Sequence, residues 1–93
     1  MLKIFLRNEF TASLKRLERS GTFKSAAKEK LENAVRILAE EEPLPSFYVD
    51  HQLTGEWRGY RECHIKGNVL LIYQVLGDSL ILVDIGSHSY LLE

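Results

Sequence analysis

A single cysteine, Cys63, excludes a disulfide within the chain, so nothing in its thiol content points to secretion. Only two prolines occur, Pro43 and Pro45. They stand nearly together, so one stiff, extended break separates two stretches that are free to form regular structure. No apolar run approaches the roughly 20 residues that cross a bilayer. The run from Met1 to Leu6 is too short for a signal-peptide core and has no cleavage site after it, so a cytoplasmic protein is expected. Internal repeats and low-complexity segments are missing. So is an excess of charge: the formal net charge is −1, which gives no general positive field for a polyanion.

What is present fits one folded domain over residues 1–93, with 45% hydrophobic and 27% charged residues. Charge is divided unevenly along it. Residues 1–42 carry nine Lys/Arg against seven Asp/Glu, and residues 43–93 carry three against six. Met1 to Leu6 reads as a strand. Asn8 is a candidate cap for a helix that runs to Ser20 and Gly21, with Phe10, Leu14 and Leu17 on one face. Thr22 is a candidate cap for a second helix from about Phe23 to Glu41, with Ala27, Leu31, Ala34, Val35 and Leu38 along one stripe. Pro43 to Thr54 reads as a connector. Glu56 to His64 reads as a strand, with Trp57, Gly59, Arg61 and Cys63 facing one side and Arg58, Tyr60, Glu62 and His64 the other. Val69 to Val75 is the apolar run expected of a central strand, and Leu80 to Ile85 reads as the next strand. Ser87 to Leu92 adds a short strand or packs as a tail. The expected fold class is α+β in the order β-α-α-β-β-β. A helical hairpin covers one face of an antiparallel sheet, and the other face is free to carry a site.

Uncommon residues gather between Asp50 and His64, a stretch that holds the only Trp, the only Cys and two of the three histidines. His51, His64 and His88 all fall beside strand ends or turns. Arg58 and Arg61 lie between the first two, with Trp57 and Tyr60 as flat surfaces. This set suits cleavage of RNA without a metal. The ribose 2′-OH must lose a proton to attack phosphorus, the departing 5′-oxygen must gain one, and imidazoles reach both protonation states near neutral pH. Arginine can stabilise the charge that builds on phosphorus, and an aromatic can stack on a base. The residues by themselves leave other uses open. Trp57 can anchor a small core, Arg58 and Arg61 can pair with Glu56 or Glu62, and Cys63 can be a small buried apolar residue. Zinc ligation by Cys63, His51, His64 and His88 has no recognised spacing, and no metal is expected.

The string Asp50-His51-Gln52-Leu53, Gly55, Trp57, Gly59-Tyr60-Arg61-Glu62-Cys63-His64, followed by Leu70-Leu71-Ile72-Tyr73 and Gly86-Ser87-His88, resembles the YafQ-type branch of the RelE/ParE toxin superfamily. The resemblance covers nearly the whole chain. It is specific in residues 50–73 and 86–88 and general in residues 1–45. It implies a RelE-like fold and a toxin of a bacterial type II toxin–antitoxin system. Such a toxin is a ribosome-dependent endoribonuclease that cuts mRNA in the A site, leaves a 2′,3′-cyclic phosphate and needs no cofactor. The implied partners are a cognate antitoxin, mRNA on the ribosome and ribosomal RNA. Operator DNA is reached only through the antitoxin complex, and no membrane is involved.

Carried onto this chain, the resemblance makes His51 and His88 the acid–base pair, with His64 supporting. Arg61 is expected at the phosphate, with Arg58, Asn68 and Trp57 as further substrate contacts. Lys15, Arg16, Arg19, Lys24 and Lys28 form the expected docking surface for ribosomal RNA. The chain departs from the family pattern at Asn68-Val69, where an acidic residue and an aromatic are usual, and at Leu92, where Phe is usual. Its near-neutral charge is a third departure. Asn68 can hydrogen-bond but cannot act as a base. Two alternatives follow: a gyrase-binding protein of the ParE kind, against which the three histidines speak, and a weakened toxin retained for binding antitoxin.

Overall fold

The apolar run near the middle of the second half becomes the central strand of a five-stranded sheet. The computed structural model describes residues 1–92. Its strands are β1 (Lys3–Leu6), β2 (His51–Gln52), β3 (Arg61–Lys66), β4 (Val69–Leu76) and β5 (Ser79–Ser87), in the spatial order β1-β5-β4-β3-β2. The helices are α1 (Asn8–Ser20), α2 (Ser25–Ala39) and a short α3 (His88–Leu92). The α+β reading stands, as does the antiparallel run β3-β4-β5. The sheet as a whole is mixed, because β1 lies parallel to β5 with Lys3 opposite Ser79 and Leu6 opposite Leu82.

Both helices bury the expected stripes. Phe10 from α1, and Ala27, Leu31, Ala34 and Leu38 from α2, pack with Cys63, Ile65, Leu71, Tyr73, Leu80, Leu82 and Ile85 of the sheet. Their beginnings differ from expectation. Arg7 takes the N-cap position of α1, with Asn8 already helical. Lys24 takes that of α2, because Phe23 is drawn into the core and Thr22 pairs with Ser20 instead. The second helix ends at Ala39, since Glu41 turns left-handed at φ 61°.

Two departures shape the site. The connector holds a strand: β2 pairs antiparallel with β3, setting His51 opposite Glu62 and Gln52 opposite Arg61. The strand expected from Glu56 starts only at Arg61. Gly55–Trp57 makes a single 3-10 turn, and Gly59 sits at φ 97°, a conformation open to glycine that breaks the extended run. The loop so formed is closed by the Leu53 N–H donating to the Tyr60 carbonyl at 2.9 Å. At the other end, the segment expected as a strand or tail is the one-turn helix α3.

Cys63 is fully buried in the core. Burial, ahead of the nearby Asp50 and Glu62 carboxylates, pushes its thiol up to about 12. A cysteine in an unfolded chain ionises near about 8.5, so the fold favours the neutral thiol. Its contribution to stability is full below about pH 8.5 and is lost as pH rises toward the folded value. We expect the urea midpoint to fall from about pH 9 to about pH 11, and to fall less in Cys63→Ala. Equal slopes in the two proteins would refute this.

Candidate active site

Alternation along β3 divides its side chains between the two faces of the sheet. Cys63 and Ile65 join the helix-side core, while Glu62 and His64 take the open face. Register then brings His51 of β2 beside Glu62. The outcome is a carboxylate shared by two imidazoles. His51 Nε2 lies 3.6 Å and His64 Nε2 3.5 Å from the same oxygen, Oε1 of Glu62. The two rings stand 6.5 Å apart between centroids at 55°. Glu62 is 3% exposed, whereas the two histidine side chains are 47% and 41% exposed. A buried carboxylate therefore lies within ion-pair distance of two half-exposed imidazoles and attracts each of them once it is protonated.

His51 has a second constraint. Its Nδ1 lies 2.8 Å from the carbonyl of Val49, and a carbonyl can only accept, so Nδ1 carries the proton. In the neutral ring, Nε2 is then left unprotonated and able to take one. Val49 itself is left-handed at φ 51°, a strained conformation for a β-branched residue, and this turns the chain just before His51 enters β2.

Asp50, one residue earlier, points the other way. Its carboxylate accepts from Arg61 Nη2 at 3.1 Å and from the Tyr73 hydroxyl, while Arg61 Nε donates to that hydroxyl oxygen at 3.3 Å. Arg61 and Tyr73 are register partners on β3 and β4. They line a hollow with Leu38, Glu41, Glu42 and Pro43, at the end of α2. The hydrogen bond to Asp50 raises the affinity of Arg61 for its proton. Burial, then the bond to Asp50, raises the Tyr73 phenol. Arg61, expected at the phosphate, is thus committed to Asp50 on the helix side, away from the His51–His64 pair.

The other expected site residues are spread out. The loop with Trp57 and Arg58 is tied down where Gln74 Nε2 donates to the Gly59 carbonyl at 3.3 Å. Trp57 meets Tyr60 edge-on at 5.4 Å, and Arg58 is exposed with no ion pair among the described residues. Asn68 lies in the β3–β4 turn, in a recess with Thr22, Lys66 and Ser87, and not beside the paired histidines. His88 is the exposed first residue of α3. It makes no ion pair among the described residues. A Cβ built on Gly86 would meet Tyr90 and Leu91 of α3, and Gly86 pairs with Leu70, which pairs with His64. Alternation therefore puts α3 on the side of the sheet that carries His64. Of the basic set, Arg16 bonds Tyr90 and Lys28 pairs with Glu18 at 3.3 Å. Lys15 and Arg19 are exposed on α1, and Lys24 is exposed at the N-cap of α2. The side chain of Leu92 lies outside the described residues.

Sequence reasoning placed Glu62 on the face of His64 but offered it only as an ion-pair partner for Arg58 or Arg61, whereas it lies beside His51 and His64. The missing signal was β2, a strand of only two residues. Asp50 and Tyr73 carried no local signal, because they meet through a contact 23 positions apart.

Comparison with known proteins adds an independent line. The family described as bacterial toxin of type II toxin–antitoxin system, YafQ, matches residues 2–93. A putative toxin YafQ of Haemophilus influenzae is 56% identical over 41 residues, 44% of this chain and 40% of that protein. An mRNA interferase toxin YafQ of Escherichia coli K12 is 41% identical over 49 residues, 53% of each. The aligned stretches thus span about half of these relatives or less. Among solved structures, a copper-bound mutant toxin from Helicobacter pylori superposes with a TM-score of 0.90 at 40% identity, covering 99% of this chain and 100% of that one. The toxin in the E. coli DinJ–YafQ complex gives 0.85 at 28% identity, covering 100% of both.

Proposed function

The chain belongs to the YafQ family of bacterial toxins of type II toxin–antitoxin systems, and from that premise we propose that it is an mRNA interferase, a toxin that cleaves mRNA on the ribosome by histidine acid–base catalysis. One observation supports this above the others: two exposed imidazoles share one buried carboxylate oxygen on the open face of the sheet. In this mechanism His51 Nε2 removes the proton of the ribose 2′-OH, and Glu62 stabilises the imidazolium that forms. The 2′-oxygen bonds to phosphorus as the bond to the 5′-oxygen breaks. His88 gives its proton to that oxygen, leaving a 2′,3′-cyclic phosphate and a free 5′-hydroxyl. His64 donates to the non-bridging oxygens, where charge builds up. Arg61 acts as a positioning residue. By holding Asp50 on the helix side it sets the backbone from which His51 projects on the other.

The partners follow from the same reading. A cognate antitoxin silences the toxin, as the DinJ–YafQ complex of the structural neighbours suggests. Ribosomes and mRNA place the reaction in the cytoplasm, and among the described residues no helix is long and apolar enough to cross a membrane. Lys15, Arg19 and Lys24 remain available for ribosomal RNA. Incubating the protein with ribosomes stalled on a defined mRNA tests the reading. The expected result is a cut within the A-site codon with a 2′,3′-cyclic end. Intact mRNA, with gyrase supercoiling blocked by the same preparation, would instead support the ParE-like alternative.

A further inference from the structure

We propose that Arg16, Tyr90 and Gly86 form a latch that holds α3 on the sheet and positions His88; the proposal rests on the reading that His88 takes part in cleavage. A helix of five residues does not persist without tertiary support. The support found here is specific. Five of the six glycines adopt a positive φ, and Gly86 is the exception, so its conformation does not call for glycine. Space does. A Cβ there would lie 2.9 Å from Cδ2 of Tyr90 and 3.6 Å from Leu91, so a side chain at 86 would displace the Tyr90 ring from its seat. Once α3 is seated, Tyr90 reaches α1. The Arg16 guanidinium lies 5.1 Å from the centre of its ring, and Nη2 donates to its hydroxyl. Arg16 is itself steadied by donating to Ser13 Oγ at 3.2 Å, on a residue only 3% exposed. The first turn closes where the Tyr90 N–H donates to Ser87 Oγ at 3.2 Å. His88 lies between Ser87 and Tyr90, so these contacts fix both sides of the backbone that carries it.

Arg16 was expected to serve the ribosomal docking surface, and charge alone would suffice for that. The latch needs more, a flat guanidinium that stacks and donates together. Arg16→Lys keeps the charge and loses the latch, which separates the two roles.

The test measures backbone order and single-turnover cleavage on programmed ribosomes in wild type, Arg16→Lys, Tyr90→Ala and the double variant. The order parameters of the Ser89 and Leu91 amides are expected to fall from a rigid value of about 0.85 to below about 0.6 in each variant. Cleavage is expected to slow by about five- to tenfold at saturating toxin, with ribosome affinity unchanged and the double variant no slower than the worse single one. Unchanged order parameters would overturn the latch. Loosened α3 with full cleavage would overturn its positioning role. Should His88→Ala cleave at the wild-type rate, the catalytic reading of His88 fails, and the order parameters alone judge the latch.

Discussion

His51→Ala is expected to slow single-turnover mRNA cleavage by about 10²- to 10⁴-fold, the usual contribution of a positioned general base. The side chain is 47% exposed and sits on a two-residue edge strand, so removing it opens no cavity in the core. Thermal stability and binding of the antitoxin should stay near wild type. Glu62→Gln gives the companion measurement. It keeps the shape of the buried side chain but withdraws the negative charge that both imidazoles share. A loss of about tenfold or more is expected, because a neutral amide stabilises the newly formed imidazolium less. The two substitutions act on one proton transfer, so the double variant should be little worse than His51→Ala alone. A His51→Ala protein that retains half of the wild-type rate would remove His51 from the mechanism. Full loss with His51→Ala and no effect of Glu62→Gln would leave Glu62 a packing residue only.

Asp50→Ala is expected to produce the largest loss of stability of any single change near the site. The carboxylate accepts from Arg61 and from Tyr73, and Tyr73 is 1% exposed. With Asp50 gone, the phenol keeps the bond it accepts from Arg61 Nε but loses the acceptor for its own proton. An unsatisfied buried donor costs about 1–3 kcal/mol. Arg61 is 39% exposed, so water screens the ion pair, and its loss adds no more than about 1 kcal/mol. Together these amount to roughly 1–4 kcal/mol, or about 4–30 °C in Tm for a domain of this size. Tyr73→Phe should cost less than about 1 kcal/mol, because donor and hydroxyl leave together. Cleavage should fall in Asp50→Ala as well, since His51 is the next residue. Equal melting temperatures for Asp50→Ala and wild type, by calorimetry, would show that the Asp50–Arg61–Tyr73 contact carries no stabilising energy.

Local pattern determined a good deal of this molecule. The 3.6-residue spacing of Phe10, Leu14 and Leu17, and of Ala27, Leu31, Ala34 and Leu38, announces two helices with one apolar stripe each. Those stripes are the ones buried or packed on the core. Alternation in β3 put Arg61 and Cys63 on one face and Glu62 and His64 on the other, and the structure keeps that division. Pairing was not legible. β1 contributes Lys3 to Leu6 to a parallel partner more than 70 positions away, and no local signal encodes that distance. β2 has two residues, too few for any period to show.

The same limit separates the chemistry of the site from its geometry. The amino-acid sequence by itself determined which side chains could move protons: three histidines, two of them in one short stretch, together with a motif that names a family. Only the tertiary structure decided their company. It joined His51 to His64 through Glu62, placed α3 with His88 on the face of His64, and left Asn68 in a separate recess. It also paired Arg61 with Asp50 on the opposite side of the sheet from His64. The physical reason is strand alternation combined with register. Each residue's face is a local property with period two, but the neighbour it meets there is set by which strands pair and at what offset. That choice depends on burying the whole apolar surface at once, and no single stretch of the chain contains it.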